Sequence, residues 1–181
     1  FTTSTDNYNV GVGYLAGTSI TTGFQNTIVG GTAGDALTDA DRNVAIGYVA
    51  LSTDTLGSKS TAVGYAAMYQ NTSGTSNVGL GYLALSQNTT ASLNTAVGHS
   101  ALKVNTTGAN NVAIGGSALD ANTTASNNVA VGTYALTDNS TGAGNVAIGR
   151  EALQANTTAS NSTAIGYQAA YSNVTGGNLT A

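Results

Sequence analysis

A 17-residue phrase repeats along the chain without insertion or deletion. NVAIGREALQANTTASN at 145–161 follows NVAVGTYALTDNSTGAG, which begins 17 residues earlier, and NVAIGGSALDANTTASN precedes that phrase by the same interval. Because every unit must pack against its neighbours in the same way, a fixed period predicts one stacked repeat domain over residues 1–181. The first two of its ten units are degenerate. The closing glycine of each unit's phrase is Gly13, Gly30, Gly47, Gly64, Gly81, Gly98, Gly115, Gly132, Gly149 or Gly166.

The residues before each glycine carry a strand signal. The position next to the glycine is always aliphatic, and Val or Thr stands two residues earlier, as in Ile46 and Val44. Alternation of such residues predicts a short strand, and we expect both columns to face the interior. The position between them is Ala or Gly in every unit except at Ile28. This small column is interpreted either as a flat strip for side-by-side assembly or as a fit to a tight coil interior.

The second half of each unit is also regular. An Ala stands three residues after the glycine, a large apolar residue such as Leu102 follows it from the third to the ninth unit, and a polar turn of the form N-T-T-G/A comes next. Such closely spaced turn residues leave no room for a helix of ordinary length. The sequence therefore predicts an all-β fold, a parallel β-solenoid (β-roll or β-helix) of ten 17-residue coils. At a strand spacing of about 4.8 Å the rod would be about 48 Å long.

Composition restricts the partners of such a rod. Only 7% of the residues are charged, and four basic residues face eight acidic ones. A nucleic-acid partner is therefore not expected. No apolar run reaches the roughly 18 residues that would predict insertion into a membrane. Like charges stacked at strand spacing would repel, whereas the asparagine that opens each phrase is expected to form an amide ladder at a corner of the coil.

The repeated phrases resemble those of a known class of fibre proteins. NVAIGYVAL, STAVGYAAM and NTAVGHSAL, followed by NTTG, are similar to the shaft repeats of phage tail-fibre-like and bacterial surface-fibre proteins, and the similarity extends over all ten units. The phrase S/N-x-A-I/V-G is also similar to the head repeats of trimeric autotransporter adhesins, which are shorter than 17 residues. The resemblance implies a homotrimeric, extracellular fibre on a virion or a cell surface, of which this chain is one segment, with a role in attachment.

Catalytic, cofactor and metal sites are not expected. His99, the one histidine, occupies a column that holds Tyr in other units, and no serine or carboxylate column accompanies it. Glu151 has no second carboxylate column with which to perform paired acid chemistry. Asp35, Asp39 and Asp41 cluster in the second unit but do not recur with the period, as the residues of a calcium-binding solenoid would. We interpret that cluster as a solvated turn.

Three columns are candidate binding surfaces. The tyrosines after the repeat glycine are able to stack on sugar rings, although we favour a structural role at a corner or a trimer seam; they are Tyr14, Tyr48, Tyr65, Tyr82 and Tyr167. Asparagines that open N-x-S/T sequences are turn formers or glycosylation sites: Asn71, Asn88, Asn105, Asn122, Asn139, Asn156 and Asn173. Threonines two residues later, with those asparagines on the same face, would suit ice binding: Thr90, Thr107, Thr124, Thr141, Thr158 and Thr175.

The functional expectation is a non-catalytic fibre shaft or adhesin segment that attaches to a glycan or receptor on a cell surface. Two alternatives remain open: an ice-binding solenoid, and a subunit of an open-ended extracellular filament whose coil ends pair with one another. The repeat glycines, the Val/Ile column and the Leu column are expected to carry the fold. A bulky or polar substitution at Gly98 or Ile114 is accordingly predicted to disrupt stacking.

Overall fold

The structure, a computed structural model, describes residues 7–181, so the first six residues of the predicted domain lie outside it. Each coil contributes one three-residue strand, and no helix occurs in the described part of the chain. The strands are β1 (Val10–Val12), β2 (Thr27–Val29), β3 (Val44–Ile46), β4 (Thr61–Val63), β5 (Val78–Leu80), β6 (Thr95–Val97), β7 (Val112–Ile114), β8 (Val129–Val131), β9 (Val146–Ile148) and β10 (Thr163–Ile165).

The strands form one parallel sheet in the order β1 to β10. Every residue of β1 to β9 pairs with the residue 17 positions further along, without a change of register. The predicted all-β parallel β-solenoid with 17-residue coils is confirmed.

The repeat glycine is required where successive coils approach each other most closely. All ten repeat glycines have φ between 133° and 140°, a region that L side chains rarely adopt. A Cβ atom on Gly98 would lie 2.6 Å from the carbonyl oxygen of Gly115 in the next coil. The bend therefore repeats because no larger residue fits between stacked backbones.

The interior is lined by the small strand column rather than by the β-branched columns. Ala45 and Ala113 are fully buried, as is Leu102 from the Leu column, whereas Ile46 is 37% and Ile114 40% exposed. The prediction that the Val/Thr and Val/Ile columns face the interior is wrong, and so is the use of the Ala strip for lateral assembly. A coil that closes in 17 residues is so thin that only a methyl group fits opposite the leucines. Ile114 consequently lies outside the core that its substitution was predicted to disrupt.

The other half of the interior is an amide network, beginning with the predicted ladder. The backbone N–H of Asn94 donates to Oδ1 of Asn77 in the preceding coil at 2.9 Å, and Nδ2 of Asn94 crosses the coil to the carbonyl oxygen of Gly108 at 2.9 Å. The same pattern recurs in other coils, with Ser60 and Ser162 replacing two members of the column. The ladder predicted for the opening asparagines is confirmed.

A second ladder runs beside the first. Nδ2 of Asn105 donates to Oδ1 of Asn88 at 3.0 Å and to the Gly108 carbonyl oxygen at 2.9 Å. Members of this second column are fully buried in six successive coils. Since buried amides are costly unless they are hydrogen-bonded, the two ladders specify how adjacent coils align.

Candidate functional site

The outward-facing strand residues form one continuous surface, here called the aliphatic strip. It comprises the first and third residues of β1 to β10, which are Val or Thr and then Val, Ile or Leu. These side chains are half-buried or exposed in every coil, and no charged residue occurs in any of the ten strands. A contiguous apolar patch of this kind is typical of a surface that contacts another macromolecule.

The chemically varied residues lie on a different part of the coil, the turn segments that follow the repeat glycine. We call this the variable corner; it comprises residues 14–19, 31–36, 48–53, 65–70, 82–87, 99–104, 116–121, 133–138, 150–155 and 167–172. It holds eight of the nine tyrosines of the chain together with His99, Lys103, Arg150 and Glu151. The interior columns hardly change from coil to coil, so the varied side chains of this corner are candidates for selective contact with a ligand.

Four members of the predicted aromatic column are brought into one stack. The ring centroids of Tyr48 and Tyr65 are 5.9 Å apart, those of Tyr65 and Tyr82 are 5.2 Å apart, and those of Tyr82 and His99 are also 5.2 Å apart. The planes of successive rings differ by 10° to 21°. Tyr14 lies outside this run, because Gly31 interrupts the column between it and Tyr48.

A cleft of about 330 Å³ lies beside the first two rings of the stack. Tyr48 and Tyr65 line one side, and Tyr69, four residues beyond Tyr65, also lines it. Val49, Ala66 and Leu83 complete the lining. We call this the tyrosine cleft. The sequence did not indicate Tyr69, because neither neighbouring coil has an aromatic residue at the equivalent position.

Apart from Asp35, the charged residues of the variable corner lie further along the rod than the tyrosine cleft. Burial raises the pKa of Asp120, although the positive charges of Lys103 and, to a smaller extent, His99 oppose that rise. Glu151 accepts a hydrogen bond from Gln168 at 2.7 Å, which is the main reason that its pKa is lowered, and it forms an ion pair with Arg150 at 2.7 Å. None of these charged groups lines the tyrosine cleft.

Two of the three aspartates of the second unit, Asp39 and Asp41, accept hydrogen bonds from groups of the protein itself. Asp39 accepts the hydroxyl hydrogens of Thr22 and Thr21, and these two bonds, that of Thr22 first, lower its pKa. Asp41 accepts the backbone N–H of a residue in the preceding coil, whereas Oδ1 of Asp35 is buried and has no hydrogen-bond partner among the described residues. Within residues 7–181, no group of three or more His, Asp or Glu side chains is arranged to hold a metal ion.

The asparagines of the sequons lie inside the rod. Nδ2 of each buried member donates to the carbonyl oxygen three residues later and to the side chain of the preceding coil, and Asn173 alone of the set is partly exposed. The folded coil has no space for a glycan on the buried asparagines. The prediction that these asparagines form an exposed binding or glycosylation column is therefore wrong. The fully buried members are Asn71, Asn88, Asn105, Asn122, Asn139 and Asn156.

The threonine column does lie on the surface, but without its asparagines. Thr90, Thr107 and the equivalent residues are exposed, and they occupy bends rather than strands. The arrangement expected for ice binding, with Asn and Thr on one face, is therefore not formed, because the asparagines point inward. From Thr90 to Thr175, one exposed threonine per coil remains.

One buried carboxylate begins the second amide ladder. Asp54 is fully buried, and it accepts hydrogen bonds from Nδ2 of Asn71 and from the backbone N–H of Gly57, both at 2.7 Å. Earlier in the same column stand the buried apolar residues Leu37 and Ile20. Burial raises the pKa of Asp54 against the lowering effect of these hydrogen bonds.

Comparisons of the chain with protein-family models, with curated proteins and with solved structures gave no match. Across residues 7–181, no helical segment has the length and apolar character needed to cross a membrane.

Proposed function

We propose that this chain is a non-catalytic segment of the shaft of an extracellular fibre. In this proposal three copies lie side by side as a homotrimer with their aliphatic strips around a common axis, and the assembled rod serves attachment to a cell surface. The trimeric state and the location follow the resemblance of the repeats to those of fibre proteins. The observation that carries the proposal is the aliphatic strip itself.

The strip supports assembly because it repeats the same apolar contact along the whole rod. Ile114 and Ile148 are 40% and 39% exposed in the single chain. Covering this exposed part in an assembly contributes a corresponding fraction of the roughly 1.5–3 kcal/mol that full burial of such a side chain gives. A rod with at least one aliphatic strip position in every coil thus gains by covering the strip, and closed symmetric assembly is the commonest way in which identical chains do so.

The first experiment is the native mass of the chain by light scattering, compared with that of the double variant Ile114→Lys/Ile148→Lys. We expect the wild type at three times the 17.8 kDa chain mass and the double variant as a monomer with an unchanged β-sheet circular dichroism spectrum. Thr107 is exposed in a bend outside the strip. Thr107→Lys is therefore the matched control and should remain trimeric.

Other outcomes distinguish the alternatives. A monomeric wild type, or a trimer that the double variant leaves intact, would contradict assembly through the strip. Open-ended polymers would instead support a filament subunit that pairs through its coil ends. Thermal hysteresis from a monomer would support ice binding, for which the exposed threonine column is the one feature that remains.

A further inference from the structure

We propose that the tyrosine cleft is a binding site for a neutral saccharide. The inference rests on the proposed attachment role and assigns that role to particular residues, with a pyranose ring as the group bound. Its basis is the combination of exposed aromatic faces, a cleft of suitable size and the lack of charge in the lining.

The geometry suits a small ring-shaped ligand. A cleft of about 330 Å³ lies at the lower end of the range for small-molecule sites, about 300–1,000 Å³. Its aromatic walls are accessible, since Tyr48 is 58% and Tyr69 38% exposed. A groove of this size is too small for a peptide helix but is of the right order for one or two sugar rings.

The chemistry of the walls matches a carbohydrate. A tyrosine ring offers an apolar face to the C–H groups of a sugar, and its hydroxyl group both donates and accepts hydrogen bonds. Val49, Ala66 and Leu83 add only apolar surface. Since no charged side chain lines the cleft, sulfated or acidic sugars have no counter-charge there, and a neutral sugar is favoured. A longer oligosaccharide lying along the rod would continue from Tyr65 onto Tyr82, whose ring is the next in the stack.

The solenoid does not need aromatic residues at these positions. Gly31, Gly116 and Thr133 occupy the same column as Tyr48 and Tyr65. Their coils nevertheless keep the same strand pairing and the same left-handed repeat glycine. The tyrosines in three successive coils are thus an addition to the fold, as expected for residues that contact a ligand.

Binding is tested with the full chain and three neutral oligosaccharide probes, maltotriose, cellotriose and chitotriose, by calorimetric titration. We expect saturable binding of at least one probe and a loss of about tenfold in affinity for Tyr69→Ala, the size expected for removal of one stacked ring. Tyr171→Ala is the matched control, because Tyr171 occupies the same position of its coil and is 40% exposed outside the cleft. Its affinity should be unchanged.

The results separate this inference from the proposed assembly. No binding of any of the three probes, or equal losses in both variants, would overturn the saccharide site. Stronger binding of a sulfated heparin oligosaccharide than of the neutral probes would also overturn it. Light scattering on the same samples reports assembly independently. A trimer without saccharide binding refutes the site alone, and a monomer that binds saccharide refutes the trimer alone.

Discussion

The side-chain amides of Asn94 and Asn105 meet at one acceptor, the carbonyl oxygen of Gly108, each at 2.9 Å. Asn94 reaches this oxygen from the start of its coil and Asn105 from the turn on the other side. The convergence recurs at Ala91, Ala125, Gly142 and Ala159. In these five coils one carbonyl therefore joins the two ladders, and polar groups fix the width of an interior whose apolar half is mainly alanine and leucine.

Removing one amide from the second ladder should destabilise the rod. Asn105→Ala deletes the donor to Gly108 and to Asn88, and it leaves the amide of Asn122 without its acceptor in the preceding coil. We expect a loss of about 2–4 kcal/mol in the free energy of unfolding, because buried polar groups are left unpaired.

Urea unfolding followed by circular dichroism measures that loss. Thr107→Ala, in the same turn but exposed, is the control and should change the free energy of unfolding by less than about 0.5 kcal/mol. Similar values for the two variants would show that the ladder contributes little to stability.

The repeat glycine should tolerate no side chain. In Gly98→Ala the new Cβ would lie 2.6 Å from the Gly115 oxygen at a φ of 134°, and we expect a cost of about 3 kcal/mol or more. Gly116 provides a matched control, because a Cβ there meets only a Thr133 methyl group at 3.9 Å.

Thermal melting of Gly98→Ala and Gly116→Ala checks this expectation. The melting temperature should fall strongly for the first variant and stay near that of the wild type for the second. Equal melting temperatures would mean that the coils separate enough at Gly98 to accept a methyl group, which would contradict the close stacking.

The fold could be predicted from the sequence because the 17-residue period has a steric cause. Which face of each strand is buried could not be predicted. The glycine column follows from the contact between coils at Gly98 and Gly115. The Val-Ala-Ile alternation of β7, by contrast, predicts two different faces of the strand but does not predict which face is buried. The face with Ala113 is buried because the interior of a 17-residue coil is narrow. Leu102, with a φ of 52°, also lacks a local signal, since leucine disfavours that conformation and only the stacked coils hold it.

The candidate site was less predictable than the fold. The Tyr48–Tyr65–Tyr82 stack follows from spacing alone once coils are stacked in register. The tyrosine cleft also requires Tyr69, and its approach to Tyr65 depends on how the chain turns within the variable corner. The second ladder could not be predicted from the sequence for a different reason. N-T-T sequences are typical of exposed turns, and Asn105 is buried because its partners are supplied by neighbouring coils.

The pH dependence of stability should report on Asp54. Because burial raises its pKa above the ordinary value of 3.8, the folded chain binds a proton at this carboxylate more readily than the unfolded chain does. Stability contributed by this residue is therefore present at low pH, falls as the pH rises from the unfolded pKa through the higher folded pKa, and is absent at neutral pH. Asp39 and Glu151, whose pKa values are lowered, act in the opposite direction at lower pH, so only a variant isolates the effect of Asp54.

Asp54→Asn should raise the melting temperature at pH 7 and reduce the decline of stability above about pH 4, the ordinary range of an aspartate. An asparagine at this position is able to bond as Asn105 does in its own coil, with Oδ1 accepting from Asn71 and Nδ2 donating to the Gly57 carbonyl oxygen. The backbone N–H of Gly57 then loses the acceptor that Asp54 provides, a cost that we expect to be smaller than that of burying the ionised carboxylate. Melting curves of the variant and the wild type between pH 3 and pH 8 measure the difference. Asp138→Asn changes the net charge equally at an exposed position and is the matched control for the effect of charge removal on melting. A lower melting temperature of Asp54→Asn at pH 7 would instead mean that the ionised carboxylate, as the first acceptor of the ladder, stabilises the rod by more than its burial costs.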